Sequence, residues 1–283
     1  MERIGDLLLE HAPAVGPVKP YPLLLVHGMN GGAWYLRPWL YAAAQSGWDS
    51  WAVNLRGHHG SRPVTDLGRV PVSEYVEDVE DCLRQFGEAV VIGHSMGGLI
   101  AQKVAEGGRV RAAVFATSAA PHGIRVVTWS LLMTLPHYAL AILRSREFTP
   151  TREDALNLIG NRLSPERQAW AFPNLVPESA RAARQMALGR ITVDTAAIRC
   201  PTLVLGAADD RITPAAVQRK IAARYGSRYL EAPGHGHLLM LEEGGEQYFA
   251  DVLNWLDEVT KPVFLRDGPL TLPSPPMGER DSF

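Results

Sequence analysis

Two spacings of apolar residues alternate along most of this chain. Short unbroken runs at Leu23-Leu24-Leu25-Val26, 50–53, 89–93, 110–117 and 202–205 have the length and the branched-chain content of strands buried on both faces of a mostly parallel sheet. Between them lie stretches with a helical period. Segment 72–86 is the clearest, with apolar residues at Val76, Val79, Leu83 and Phe86 and acidic residues on the other face. Segments 37–46, 96–106, 214–225 and 245–259 also read as helices, 228–230 as a further strand, and a strand-like piece at 4–10 opens the chain. This alternation predicts an α/β fold: a mostly parallel central sheet flanked by helices.

From about Ala120 to Ile191 the alternation stops. No run there reads as a buried strand, and the signals are helical: an apolar segment at 126–143, Thr151-Arg152-Glu153-Asp154, Ser164-Pro165-Glu166, and Pro177-Glu178 ahead of 179–188. Proline and acidic residues at a first turn mark helix starts. The expectation is one domain, 1–119 with 192–260, divided by an inserted helical cap at 120–191. Beyond Lys261 the chain turns to proline, glycine, serine and charge, a composition that buries too little apolar surface to hold one conformation, so 261–283 is expected to be a disordered tail. Segment 126–143 is uncharged between Arg125 and Arg144, near the minimum for a membrane span. Thr128, Ser130, Thr134, Pro136, His137 and Tyr138 interrupt it, which favours helices facing a pocket and no stable membrane insertion.

Composition narrows the function without naming it. Charged residues make up 20% of the 283, the net charge is −2 and no block of like charge occurs, so nothing points to nucleic acid. Cys82 and Cys200 match no metal or redox spacing; two unpaired thiols in a reducing compartment are the default, a single disulfide the alternative. Charges at Glu2, Arg3 and Asp6 occupy the place of a signal peptide's apolar core. A cytoplasmic monomer is expected.

The chemistry centres on Val90 to Ile100, V-V-I-G-H-S-M-G-G-L-I, which carries Gly93-His94-Ser95-Met96-Gly97 between a strand and a helix. A serine at such a strand-to-helix turn sits in strained backbone that presents its hydroxyl, and the flanking glycines avoid collisions a Cβ would cause. A serine becomes a nucleophile when a base takes its proton and a third group fixes that base. In open α/β sheets the partners should follow later strands. Candidates do: Asp209-Asp210-Arg211-Ile212-Thr213-Pro214 after 202–205, and Gly234-His235-Gly236-His237 after 228–230.

Ser95, then Asp, then His is the order of the α/β-hydrolase family, and the chain resembles its serine carboxylesterase and lipase branch over roughly 23–259. The resemblance narrows two choices. The family's acidic residue followed by x-I/V-x-P fits Asp210 and puts Asp209 one residue early. Its G-H-x-x-x-x-E fits Gly236-His237 with Glu242 and puts His235 two residues early. It implies backbone donors for an oxyanion hole at Met96 and, in the His27-Gly28-Met29 loop, at Met29, with Asn30 as an alternative. The loop Asn54-Leu55-Arg56-Gly57-His58-His59-Gly60-Ser61 resembles D-x-R-G-x-G-x-S but carries Asn54 for the aspartate and an additional histidine.

His94 reads as a packing or pocket-wall residue rather than a second base. A metal reading of His58, His59, His235 and His237 lacks a complete ligand set. Trp34, Trp129, Met133 and Tyr138 are candidate acyl-pocket residues, and Leu132 belongs with them. The resemblance implies a cofactor-free hydrolase of small carboxylic esters, the apolar 126–143 segment suggesting short to medium acyl chains. A serine at the elbow argues against the dehalogenase and epoxide hydrolase branches, which use aspartate there. Perhydrolases and C–C bond hydrolases share the same three residues and stay open as alternatives, as does a non-catalytic receptor on this fold.

Overall fold

In the computed structural model, which describes residues 1–126 and 129–261, Gly5 adopts φ 54° and folds the first strand-like stretch back on itself. The single piece expected at 4–10 is therefore a hairpin, β1 (Glu2–Ile4) and β2 (Leu7–Ala12), paired antiparallel. The chain then runs through β3 (Leu23–Val26), α1 (Arg37–Gln45), β4 (Ser50–Asn54), α2 (Val72–Phe86), β5 (Ala89–His94), α3 (Met96–Val104) and β6 (Val110–Ala116). These bounds follow the hydrophobic pattern closely. The expected tail, apart from Lys261, lies outside the described residues.

Next comes the stretch without a named strand, as the pattern implied. It holds α4 (Trp129–Leu143), α5 (Arg152–Asp154) running into a π-turn at Ala155–Ile159, α6 (Pro165–Ala171) and α7 (Ala180–Ala187). Helix starts here are set by side-chain caps: Ser164 Oγ accepts from the Arg167 N–H at 3.3 Å and Ser179 Oγ from the Ala182 N–H at 3.2 Å. The last helix of the insertion thus begins after Ser179, within the expected 179–188, and leaves Pro177-Glu178 outside it. Glu178 instead forms an isolated antiparallel bridge with Phe148. No helix among the described residues is long and apolar enough to cross a membrane. The α/β pattern resumes with β7 (Thr202–Ala207), α8 (Ala215–Tyr225), β8 (Arg228–Ala232) and α9 (Gly245–Val259).

The described strands make one eight-stranded sheet in the order β1-β2-β4-β3-β5-β6-β7-β8, parallel from β4 to β8. Alternate residues of each strand feed two cores, which is why the strands read as continuous apolar runs. Leu23, Leu25, Val90, Ile92 and Leu205 pack with Leu40 of α1 and Phe249 of α9, where Trp39 stacks on Phe249 at 4.6 Å. Leu24, Val26, Val91, Phe115 and Val204 pack on the other side with Val79 of α2, Ile100 of α3 and Ile221 of α8.

One acidic residue of α2 departs from the outward face expected of it. Asp78 is fully buried, because Arg56 from the loop after β4 reaches it through Nε and Nη2 at 2.8–3.1 Å and Arg62 adds a contact at 2.8 Å. A buried carboxylate needs such partners.

The sheet order also locates a candidate site. The chain leaves β3 toward β4 on one side, and β5 lies on the other, with Val26 beside Gly93. Loops after β3 and β5 therefore diverge from adjacent carboxyl ends, the switch point where open α/β sheets leave a crevice.

Candidate active site

Ser95 sits at the junction of β5 and α3 with φ 56° and ψ −118°, a conformation costly for any residue with a Cβ. The turn is possible only with glycine on both sides: a Cβ at Gly93 would lie 2.0 Å from the Gly97 carbonyl oxygen, and one at Gly97 would lie 2.3 Å from that of Val26. The Ser95 N–H donates to Ala116 O at 3.0 Å and its carbonyl accepts from Gly98 and Ala119, so the strained residue is held by β6 and by its own helix.

His237 reaches this serine from the loop after β8. Its Nε2 lies 2.9 Å from Ser95 Oγ and its Nδ1 lies 2.8 Å from Asp210 Oδ2. A carboxylate can only accept, so Nδ1 carries the proton and Nε2 is left to accept from the serine hydroxyl. Asp210 is 4% exposed. Its Oδ1 accepts from the backbone N–H groups of Ile212 (2.8 Å) and Thr213 (2.9 Å), and the Thr213 hydroxyl is 2.8 Å from Oδ2. Burial by itself would raise this carboxyl, but His237 and the Thr213 donors outweigh it and hold Asp210 below the usual carboxylate range.

The neighbouring aspartate and histidine do something else. Asp209 forms an ion pair with Arg162 of the 120–191 insertion, and its backbone N–H donates to His235 O at 2.8 Å. His235 has its ring nitrogens 2.9 Å from Pro233 O and 3.2 Å from Glu243 O, bracing the loop that carries His237. Glu242 is buried and accepts from the Gly236 N–H at 2.8 Å; burial, the largest influence, raises its carboxyl.

On the opposite side of Ser95 the backbone of the loop after β3 approaches closely, since a Cβ on Gly28 would lie 2.7 Å from Ser95 Cβ. Each peptide here has an assigned partner. The Gly28 N–H donates to the Tyr35 hydroxyl, and the Gly28 carbonyl accepts from His27 Nδ1 at 2.8 Å while His27 Nε2 accepts from the Leu55 N–H at 3.1 Å. Burial pushes His27 down to about 3, so the ring is neutral and its two roles are fixed. The Asn30 N–H donates to Glu178 Oε2 at 3.2 Å, which removes Asn30 as a free donor. No hydrogen bond engages the N–H groups of Met29 or Met96 among the described residues.

His94 is neither a spare base nor simple packing. Its Nε2 donates to the His237 carbonyl at 2.8 Å and its Nδ1 accepts from the Tyr35 hydroxyl at 2.8 Å. Burial pushes it down to about 3. Tyr35 thus joins the Gly28 peptide to His94, a role no sequence pattern signals.

Asn54 shows what the departure from aspartate allows: Oδ1 accepts from the Ala33 N–H at 2.8 Å, while Nδ2 donates to Leu8 O at 3.3 Å, a bond a carboxylate cannot make.

Of the acyl-pocket candidates, Trp34 is buried and meets Trp170 of the insertion edge-on at 5.1 Å. Met133 is 58% exposed, and Tyr138 is half-buried with its hydroxyl on Asp154 and the Thr151 N–H. The side chains of Trp129 and Leu132 lie outside the described residues. Among the described residues no three His, Cys, Asp or Glu side chains converge as metal ligands. Cys82 and Cys200 are free thiols, raised by burial to about 12 and about 11.

Fold and site define an α/β protein with a strained serine at the switch point of its sheet, backed by histidine and aspartate from later loops. A family model described as the alpha/beta hydrolase family matches residues 23–251, and the chain belongs to that family.

Solved structures share the fold at low identity. An esterase from Thermogutta terrifontis is 20% identical, with 90% of this chain and 94% of that one covered at a TM-score of 0.69. A monoglyceride lipase from Saccharomyces cerevisiae is 17% identical, with 89% and 92% covered at 0.73. A protein from Mycobacterium tuberculosis named as a candidate non-heme bromoperoxidase is 20% identical, with 90% and 96% covered at 0.69. No curated protein matches the sequence.

Proposed function

We propose that this chain is a serine hydrolase of carboxylic esters with Ser95, His237 and Asp210 as its catalytic triad. The observation that carries the reading is the unbroken chain from Ser95 Oγ to His237 Nε2 (2.9 Å) and from His237 Nδ1 to Asp210 Oδ2 (2.8 Å). Ser95 Oγ attacks the ester carbonyl as His237 Nε2 takes its proton. The tetrahedral intermediate then expels the alcohol, which leaves with that proton, and Asp210 stabilises the transient imidazolium. His237 then takes a proton from water as its oxygen adds to the acyl carbonyl; collapse breaks the bond to Ser95 Oγ, which takes that proton from His237, and the carboxylic acid leaves.

The oxyanion is bound by the N–H groups of Met96 and Met29, which the folded chain leaves unused and which need no reorientation. Insertion 120–191 acts as a cap over this site, and its Trp170 meets the buried Trp34 of the segment after β3. The free thiols accord with a cytoplasmic setting. The esterase and lipase among the structural relatives support the ester reading. The relative named as a candidate bromoperoxidase keeps a perhydrolase on the same three residues as the second reading.

Hydrolysis of short p-nitrophenyl esters tests the proposal. Activity should be abolished in Ser95→Ala and by a fluorophosphonate; activity surviving Ser95→Ala overturns the serine mechanism. A rate series from acetate to long-chain esters is expected to peak at short to medium acyl length.

A further inference from the structure

The 120–191 insertion is joined to the loop after β3 by a buried set of hydrogen bonds centred on Glu178 and Asn30. Asn30 is a non-glycine residue at φ 58°. Its side-chain amide donates to the carbonyls of Phe148 (3.1 Å) and Val176 (3.0 Å), and its own carbonyl accepts from the Val176 N–H at 3.0 Å. Glu178 is fully buried. Its Oε1 accepts from the Tyr75 hydroxyl at 2.6 Å and the Ser179 N–H at 2.7 Å; its Oε2 accepts from the Asn30 N–H at 3.2 Å and lies 3.2 Å from His58 Nε2.

We propose that Glu178 is a positioning residue for the oxyanion hole, holding from the insertion the loop whose Met29 N–H binds the developing charge. The inference rests on the hydrolase reading above and on Met29 as a donor. The Met29 N–H belongs to the Gly28–Met29 peptide. On its upstream side that peptide is fixed by Tyr35 at the Gly28 N–H and by His27 at the Gly28 carbonyl. On its downstream side the next N–H, that of Asn30, is fixed by Glu178. Without Glu178 the Asn30 side chain and carbonyl keep their bonds to Phe148 and Val176, but the Met29–Asn30 peptide next to the donor loses its own partner and can turn between those anchors and Gly28. Misplacing a transition-state donor costs rate while leaving ground-state binding nearly unchanged.

The chemistry also says why the residue is a carboxylate. Two of its four neighbours, the Ser179 and Asn30 amides, can only donate, and they bind different oxygens. Glutamine has the same shape but one oxygen. Tyr75 and a neutral His58 can turn to accept from its NH₂ group, yet one backbone amide is left facing a second donor.

The test compares kcat and KM on p-nitrophenyl acetate for wild type, Glu178→Gln and Tyr75→Phe, together with amide hydrogen exchange in segment 27–31. Glu178→Gln is expected to lose about 10- to 100-fold in kcat with KM within about twofold. Its 27–31 amides should exchange faster, and Ser95 should still titrate stoichiometrically with a fluorophosphonate. Tyr75→Phe removes one donor from Oε1 and leaves Asn30 held, so its kcat per titrated Ser95 should stay within about threefold of wild type.

Should Glu178→Gln not fold, Glu178→Asp retains the buried charge but withdraws it by one methylene, and the same split between kcat and KM is expected. A variant that loses thermal stability but keeps wild-type kcat per titrated Ser95, with unchanged 27–31 exchange, overturns the proposal. Wild-type protein inert toward both ester and fluorophosphonate overturns instead the hydrolase reading on which it stands.

Discussion

His94 Nε2 donates to the backbone carbonyl of His237 over 2.8 Å, so the residue preceding Ser95 holds in place the loop that brings the imidazole to it. Because His94 Nδ1 is occupied by the Tyr35 hydroxyl, which also receives the Gly28 N–H, one phenol links both sides of the proposed site. Tyr35→Phe strands a buried N–H and a buried ring nitrogen. It is expected to destabilise the fold by about 2 kcal/mol in urea denaturation and to lower kcat about tenfold with little change in KM. A loss of stability with kcat unchanged would show that the link is structural only.

The strain at Ser95 sets stability against activity. Its φ of 56° and ψ of −118° suit glycine. Ser95→Gly is therefore expected to abolish ester hydrolysis while raising stability by about 1 kcal/mol. A thermal melt checks the second half, and a lower Tm than wild type would contradict the strain argument.

Asp209 and Asp210 are adjacent but differ in every contact. Asp210→Asn should reduce kcat by about 10⁴-fold, since the amide cannot keep Nδ1 of His237 as donor. Asp209→Asn removes a half-exposed pair with Arg162 and should stay within about threefold in kcat, with a stability change of about 0–1 kcal/mol. A larger kcat loss from the second substitution would reverse the assignment.

The buried His58–Glu178 pair predicts a pH dependence of stability. Burial opposes charge on His58, but Glu178 more than compensates and raises it above its ordinary 6.5. The stabilisation from this group is fully present below 6.5 and is lost as pH rises through the raised value. Glu178 behaves oppositely: burial raises its carboxyl, His58 and Tyr75 outweigh that, and with a net lowered value its contribution is lost as pH falls through it. Urea midpoints should therefore decline from neutral toward alkaline pH, and His58→Gln should flatten that decline. An equal slope in both proteins would mean His58 is uncharged in the fold.

How much of this was legible differs by residue. β3, α2 and α9 have the bounds that apolar spacing implied, because both-face burial and one-face burial write different periods. Asp210 was singled out over Asp209 through the family resemblance, and the x-I-x-P segment that carries it is local: it supplies the Ile212 and Thr213 amides that meet the Asp210 carboxylate. Glu178 was not. Beside Pro177 and ahead of a helix, an acidic residue reads as a helix start, and nothing nearby reports partners such as Asn30, Tyr75 and His58 that are over a hundred positions away.

The 126–143 segment was legible as a helix, α4, but not in its orientation. A helix apolar all round does not say which side faces inward, and Met133, Leu140 and Leu143 of α4 are exposed.

β6 and β7 are neighbours, with Ala116 beside Leu205, so insertion 120–191 leaves the sheet and returns to it at adjacent points. Such a segment is a natural unit of exchange between related enzymes, since its replacement need not disturb strand pairing. The buried carboxylate limits that freedom. A graft lacking Glu178 would leave His58, Tyr75 and the Asn30 amide facing an empty socket, so chimaeras that carry a glutamate at this point should be recovered as active protein more often than those that do not.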